Sequence, residues 1–309
     1  MRKLLLTLVF ALITSLSGYS QYYVDYGFSV GASSFLGELG GGDGPRRDFV
    51  MDMELSLTRW TVGGFYRYRV SPKIGVKAAL NYIRLSGDDK KAGNPSRRAR
   101  NLNFKNDIFE LIVNGEFYLY KVNDVGKTGR YSTDFNLYAF GGVGLFYSNP
   151  KGQTTGGEWV SLRPLATEGV SYSTFNFTIP LGLGFYYTID RKYRLGLELG
   201  WRTTFTDYID DASTVYANGP DGISNKTDQA LLDEINAESP GGGSNGGPLV
   251  LQNYGVGSKR GDPTHNDSYM TATVNFSWAI RGRSKFYKAK HSWVLGRKKR
   301  RRRKSRAKF

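Results

Sequence analysis

Five stretches of this chain alternate apolar and polar side chains with a period of two, which commits them to β-strands whose two faces meet different surroundings. Ile74, Val76, Ala78, Leu80 and Tyr82 alternate with Lys73, Gly75, Lys77, Ala79 and Asn81. Over 107–120, Phe109, Leu111, Val113, Phe117 and Leu119 alternate with Glu110, Asn114, Glu116 and Tyr118. The pattern recurs over 174–189, 193–202 and 270–280. Residues 22–36, 59–70 and 133–147 show it less cleanly, because glycine and aromatics occupy both faces. That makes eight strands, at or above the roughly 10 residues that a tilted membrane strand needs. A soluble antiparallel sandwich also alternates. The aromatics Tyr66, Tyr68, Tyr82, Phe117, Tyr120, Tyr187, Tyr193 and Trp201 fall toward strand ends, where membrane-interface girdles sit, and so favour a barrel.

The N-terminus points the same way. Arg2 and Lys3 precede an apolar run from Leu4 to Leu16, and Gly18-Tyr19-Ser20 puts small residues where a signal peptidase reads. The run is shorter than the roughly 20 residues of a spanning helix, so a leader cleaved after Ser20 is expected. With no cysteine in the chain, a lipoprotein anchor, a disulfide framework and a thiolate metal site are all excluded. The expected organisation is a leader at 1–20, an all-β, eight-stranded antiparallel transmembrane β-barrel over 21–281, and a basic tail at 282–309.

Connection lengths predict orientation. Val70-Ser71-Pro72-Lys73 and Ile189-Asp190-Arg191-Lys192 are tight turns and 121–130 is a modest loop, whereas 37–58, 86–103, 148–171 and 207–267 are long and polar. Short periplasmic turns and long extracellular loops are the habit of outer-membrane barrels, so both termini are expected in the periplasm. In the longest loop, 224–235 is expected to form a helix with Leu231, Leu232 and Ile235 on one face, and 237–247 is a glycine-rich low-complexity stretch.

The polar face supplies a candidate lumen network of Arg67, Arg69, Lys77, Glu110, Glu116, Arg194, Glu198 and Arg202. An eight-stranded barrel is just wide enough to be filled by side chains, so these charges are expected to pair with one another, Glu198 with Arg194 or Arg202. Five bases against three acids would give a slight anion preference if water passed. No catalytic set is expected: His265 lies in the longest loop and His291 in the tail. Asp207, Asp210 and Asp211 are weak candidates for a hard cation, with turn and cap chemistry as the competing role. No cofactor is called for.

Charge is strongly localised. Fifteen bases lie from Arg281 onward with no acid after it, and taking them from the 43 in the chain leaves 28 against 27 acids. The net +16 therefore lies almost entirely in the tail, and a nucleic-acid reading of the body loses its main support. Arg297, Lys298, Lys299, Arg300, Arg301, Arg302, Arg303 and Lys304 are the candidate partner-binding run. Fully extended, the tail could reach about 90 Å.

Several motifs across 59–217 carry a resemblance. They are Gly64-Phe65-Tyr66-Arg67-Tyr68-Arg69, Asn101-Leu102-Asn103-Phe104 leading into Glu110-Leu111, Gly141 to Phe146 ending in Asn149-Pro150-Lys151, Thr167-Glu168-Gly169, and Ile179 to Gly184. The most specific is Trp201-Arg202 followed by Thr206-Asp207-Tyr208-Ile209-Asp210-Asp211-Ala212-Ser213-Thr214-Val215-Tyr216. Together they resemble the PorG family, outer-membrane barrels of the type IX secretion system of Bacteroidetes, linked in gliding members to surface motility. The resemblance implies a non-enzymatic component, embedded in outer-membrane lipid, that contacts a periplasmic ring of PorK-type lipoprotein and PorN-type protein through the tail or the short turns. An OmpA-like structural or adhesive barrel and a lipid-modifying enzyme are the alternatives.

Overall fold

The computed structural model describes residues 23–40, 55–122, 134–189, 192–219, 221–243 and 246–281; the leader, residues 41–54 and the basic tail, with His291 and the Arg297 to Lys304 run, lie outside the described residues. Eight long strands form a ring: β1 (Tyr23–Leu36), β2 (Arg59–Arg69), β3 (Ile74–Asp88), β4 (Asn103–Val122), β5 (Asp134–Tyr147), β8 (Phe175–Ile189), β9 (Tyr193–Thr204) and β10 (Ser268–Arg281). A small hairpin, β6 (Lys151–Gln153) and β7 (Trp159–Ser161), joins the loop end of β4. All ring pairings are antiparallel, and β10 returns to β1 with Tyr23 opposite Arg281. Closure leaves the ring no open edge, the condition for a sheet to stand in lipid.

The alternation read from the sequence becomes an inside and an outside. Along β4, Phe104 to Tyr118 are buried at even positions, while Phe109, Leu111, Val113 and Phe117 are exposed at odd ones. The outer face carries two aromatic rows, each held by strand register. Tyr82, Phe109, Tyr147 and Phe175 are successive cross-strand partners on β3, β4, β5 and β8 near the long loops. Tyr66, Tyr26, Trp278 and Tyr193 form the corresponding row on β2, β1, β10 and β9 near the short turns. Between them stand exposed Val62, Leu80, Leu183 and Leu199. Apolar side chains bounded by aromatic rows are what a hydrocarbon layer and its two interfaces select.

Several strands run further than the sequence pattern. β3 continues past Tyr82 to Asp88, and β4 begins at Asn103 rather than 107, so the loop between them shrinks to 89–102. These extensions turn Ile83, Leu85 and Phe104 inward, where they pack with Ile108, Phe35, Phe146 and Tyr269. The lumen is thus polar toward the short turns and apolar toward the long loops. Inside, Gly182 and Gly184 make room for aromatics folded flat on the wall: a Cβ at either would stand 2.5 or 2.6 Å from the rings of Phe140 and Tyr138.

The described parts of the long loops are folded rather than open. A short helix, Pro95–Arg100, packs on the helix Gln229–Glu238 around Ala99, Tyr216, Leu232, Ile235, Leu249 and Tyr254. The latter helix replaces the one expected over 224–235. Asp228 caps it by accepting from Leu231 N at 2.8 Å, and Asp221 holds the preceding residues in a turn by accepting from the N–H groups of Ile223, Ser224 and Asn225. Both Leu232 and Ile235 are buried, as their shared face requires.

Candidate functional site

Each of the eight candidate lumen residues lies inside the ring. Arg67 is at the centre: its Nε donates to Glu116 at 2.8 Å and its Nη2 to Glu198 at 3.2 Å, with Asp25 3.5 Å from Nη1. Glu198 is also held by Lys77 Nζ at 2.6 Å. Arg194 pairs with Asp25, and Arg202 Nε donates to Glu110 at 3.4 Å. The expected pairing of Glu198 with Arg194 or Arg202 is therefore corrected. Those two arginines neighbour Glu198 along β9, but strands across the lumen offer acids at closer range. Arg69 donates to Asn136 at 2.9 Å and lies 3.9 Å over the Tyr118 ring. Asp25 was missed because β1 alternates weakly, yet it is fully buried and supplies a fourth acid. The tyrosines Tyr118, Tyr138 and Tyr186 fill the space between these charges. A gap of about 20 Å³ remains beside Lys77 and Glu198, room for about one water. With Asp25 counted, five bases face four acids, and the described lumen around them is packed with side chains.

Above the lumen, two arginines fasten the loops. Arg100 Nε and Nη2 donate to the two Asp89 oxygens at 2.8 and 3.0 Å, while Nη1 and Nη2 donate to the carbonyls of Arg260 and Glu38 at 2.6 and 2.8 Å. One planar fork thus joins the first, second and last long loops. Arg260 Nη1 donates to Glu168 at 2.9 Å and to the Asp211 carbonyl, and Nη2 donates to Asp211 Oδ2 at 3.1 Å. Glu168 also accepts from Ser213 N and Thr214 N at 2.9 and 2.8 Å, bringing in the third loop.

The acidic stretch after β9 is the keystone of this cap. Ile209 and Ala212 are fully buried and seal the apolar mouth of the lumen. Asp210 accepts from Leu39 N and Ala212 N at 3.2 and 3.0 Å. Asp211 sits at φ +69 and accepts from Thr167 Oγ1 and Tyr172 OH, each at 2.6 Å, besides Arg260. These bonds turn the Asp210 and Asp211 carboxylates toward different donors. Among the described residues no group of three acids or histidines is arranged to hold a metal ion. The role found for Asp210 and Asp211 is the turn and fastening chemistry that competed with the cation reading; Asp207, also buried, lies near Glu38 and Asp267.

Burying acids beside one another has an electrostatic cost. Burial, reinforced by Asp210 and Asp207, pushes the Glu38 carboxyl up to about 8. Burial likewise raises Asp210 to about 6, against the pull of backbone donors and the two arginines, and raises Asp267 well above the usual carboxylate range. The cap therefore holds protons at neutral pH that free carboxylates would release.

His265 stands on the cap surface. Its Nδ1 faces Thr264 Oγ1 at 2.8 Å and Asp262 Oδ2 at 3.9 Å. A hydrolytic relay needs the acid on one ring nitrogen and the nucleophile on the other, so both neighbours at Nδ1 do not form one.

No curated protein matches the chain in sequence. Solved structures with a similar fold include Ail, the attachment invasion locus protein of Yersinia pestis, in complex with the heparin analogue sucrose octasulfate, at 9% identity and TM-score 0.35 over 85% of this chain and 100% of that one. Neisserial surface protein A (NspA) is 8% identical, with TM-score 0.33 over 83% and 96% of the two chains. The outer membrane protein OprG from Pseudomonas aeruginosa is 11% identical, with TM-score 0.30 over 85% and 96%. Likeness at this level carries no argument about activity. In sequence, residues 2–218 match the family model described as "Domain of unknown function (DUF6089)", a stretch that includes β1 to β9 and the keystone after β9. The chain belongs to the DUF6089 family.

Proposed function

We propose that this protein is a non-enzymatic outer-membrane barrel serving the type IX secretion machinery, with its long loops outside and both termini in the periplasm. The apolar wall bounded by aromatic rows supports the membrane, and the packed lumen supports a scaffold rather than a channel. One observation carries the secretion role: the stretch with the most specific resemblance to the PorG family, Trp201 to Tyr216, is the one whose Ile209, Asp210, Asp211 and Thr214 seal the lumen and fasten the loops. A motif spent on building a particular cap suits a dedicated component. The inner partner is the ring of PorK-type and PorN-type proteins, reached by the basic tail or the short turns.

Affinity capture of the full-length protein from mildly cross-linked cells should bring down both ring proteins, and removing 296–309 should weaken that capture, the more so as salt is raised. Loss of the gene should block export of substrates of the system. Undiminished capture by the truncated chain would move the contact to the short turns. Absence of ring proteins with export intact would leave a structural or adhesive barrel, a reading to which the rigid outer cap is also suited.

A further inference from the structure

The outer wall holds a group of bases that neither the lumen nor the cap uses. Arg84 on β3, Lys105 on β4 and Lys151 on β6 lie on the outward face at the long-loop end, in the same alternation as exposed Leu80, Phe109 and Leu111. Lys105 and Lys151 are direct cross-strand partners, an arrangement in which like charges repel. Asp107 is beside them, but its Oδ1 already accepts from Arg84 Nε at 2.6 Å and from Tyr82 OH at 2.7 Å. Three bases face one acid, an excess of two positive charges. Two indoles brace the group: Lys105 Nζ lies 4.0 Å over the Trp159 ring and the Arg84 guanidinium 5.6 Å from Trp60.

Directly toward the middle of the wall, a groove of about 480 Å³ is lined by Val62, Leu80, Phe109, Leu111, Leu145 and Phe175. Tyr82 belongs to both features. Its ring lines the groove, 5.1 Å from Phe109 and 5.0 Å from Trp60, and its hydroxyl enters the charged group. Arg84 is two residues above Tyr82 and Lys105 four above Phe109, so the bases stand roughly 7 to 13 Å beyond the groove along the strands. That offset places cations at headgroup level and the groove at acyl level.

We propose that this face binds a phosphorylated lipid of the leaflet on the long-loop side, its phosphate between Lys105 and Lys151 within reach of Arg84 and an acyl chain in the groove. Charge complementarity selects the phosphate, since an anion there relieves the repulsion of the paired lysines. The groove selects a lipid over a free anion. The proposal rests on reading the chain as an outer-membrane barrel with its long loops outside.

The test titrates the full-length protein in nonionic detergent micelles with three probes: diphosphorylated lipid A, its dephosphorylated counterpart, and inorganic phosphate. The diphosphorylated lipid should bind saturably, and the double substitution K105Q/K151Q should weaken it about thirtyfold. The variant removes a repulsive exterior pair, so its heat-modifiable migration should stay that of a folded barrel. Leu80→Trp, which fills the groove without altering charge, should also weaken lipid binding. Equal affinity of wild type and K105Q/K151Q, or of the phosphorylated and dephosphorylated lipids, overturns the proposal. So does displacement of the lipid by inorganic phosphate at equal concentration, which would mark a free-anion site. Location is decided separately by density fractionation of cells: a chain absent from the outer membrane defeats the functional reading, whereas the titration fails only if the face does not recognise the lipid.

Discussion

In the lumen, Arg67 reaches Asp25, Glu116 and Glu198 because adjacent strands in register bring inward side chains to the same level of one narrow ring. In the cap, Arg100 and Arg260 do similar work, but apart from Asp89, which shares a loop with Arg100, their partners lie 49 to 160 residues away, from Asp211 beside Arg260 to the Arg260 carbonyl on Arg100. The first network is a by-product of strand pairing and is rebuilt whenever the barrel closes. The second depends on four loops meeting; the barrel mouth anchors Ile209 and Ala212, but no strand register brings the charged partners together. Two buried charge networks of similar chemistry should therefore respond independently to damage.

The largest break is expected from Arg100→Met. It leaves the buried Asp89 carboxylate without its countercharge, with Gly40 N and Leu102 N still donating to it, and takes the Arg100 donor from two buried carbonyls, costing the cap about 4 kcal/mol. Loop cleavage by added protease should rise steeply while the barrel keeps its heat-modifiable migration; simultaneous loss of both would show one cooperative unit and end the comparison. Next comes Glu198→Leu, which strips Lys77 of its carboxylate while Arg67 retains Glu116 and Asp25. We expect a cost of about 3 kcal/mol to the barrel, read as a lowered unfolding temperature in micelles, with loop protection unchanged. Adding Lys77→Met should recover much of that loss, because the stranded cation is then gone.

A smaller effect should follow pH and should be confined to the cap. Glu38 and Asp210 have folded values of about 8 and about 6, above their ordinary 4.5 and 3.8. The folded cap thus binds more protons than the open one between about pH 4 and 8, so its stability is full at the acid end and falls as pH rises through that window. Hydrogen exchange of the loops at pH 5 and pH 8 should register less protection at pH 8, and Glu38→Gln should flatten the difference. A loss toward acid instead would contradict the assignment. Smallest of all is Glu238→Gln, which removes the half-exposed pair with Arg98 at 2.7 Å and should cost under about 1 kcal/mol, less in high salt.

How much could be read in advance follows from the same contrast. Period-two alternation has a sharp signature, so β4, β8, β9 and β10 and the inward set from Arg67 to Arg202 were legible residue by residue. Asp25 was not, since Gly27 and Gly31 on β1 blur the inner face. Individual partners were not legible either, because the lumen pairs residues across strands whose relative stagger no local pattern states. The apolar upper lumen escaped notice because Ile83, Ile108 and Phe146 read as breaks in a polar face until Ile209 and Ala212 are seen to cover them. In the cap, the Asp210-Asp211 cluster was visible, but its role depends on Arg100, Glu168 and Arg260, each far away in sequence.

The most direct test is topology on intact cells. An epitope belongs at Gly246, which is exposed with open space around it, rather than at Gly242, whose carbonyl accepts from Ser96 Oγ and whose Cα faces Pro95. A second epitope follows Phe309. Antibody added to unbroken cells should label the Gly246 tag at once and the C-terminal tag only after the outer membrane is permeabilised. Labelling of the C-terminal tag on unbroken cells, with the Gly246 tag silent until permeabilisation, would contradict an outer-membrane barrel that presents its fastened cap outward and its tail to the periplasm.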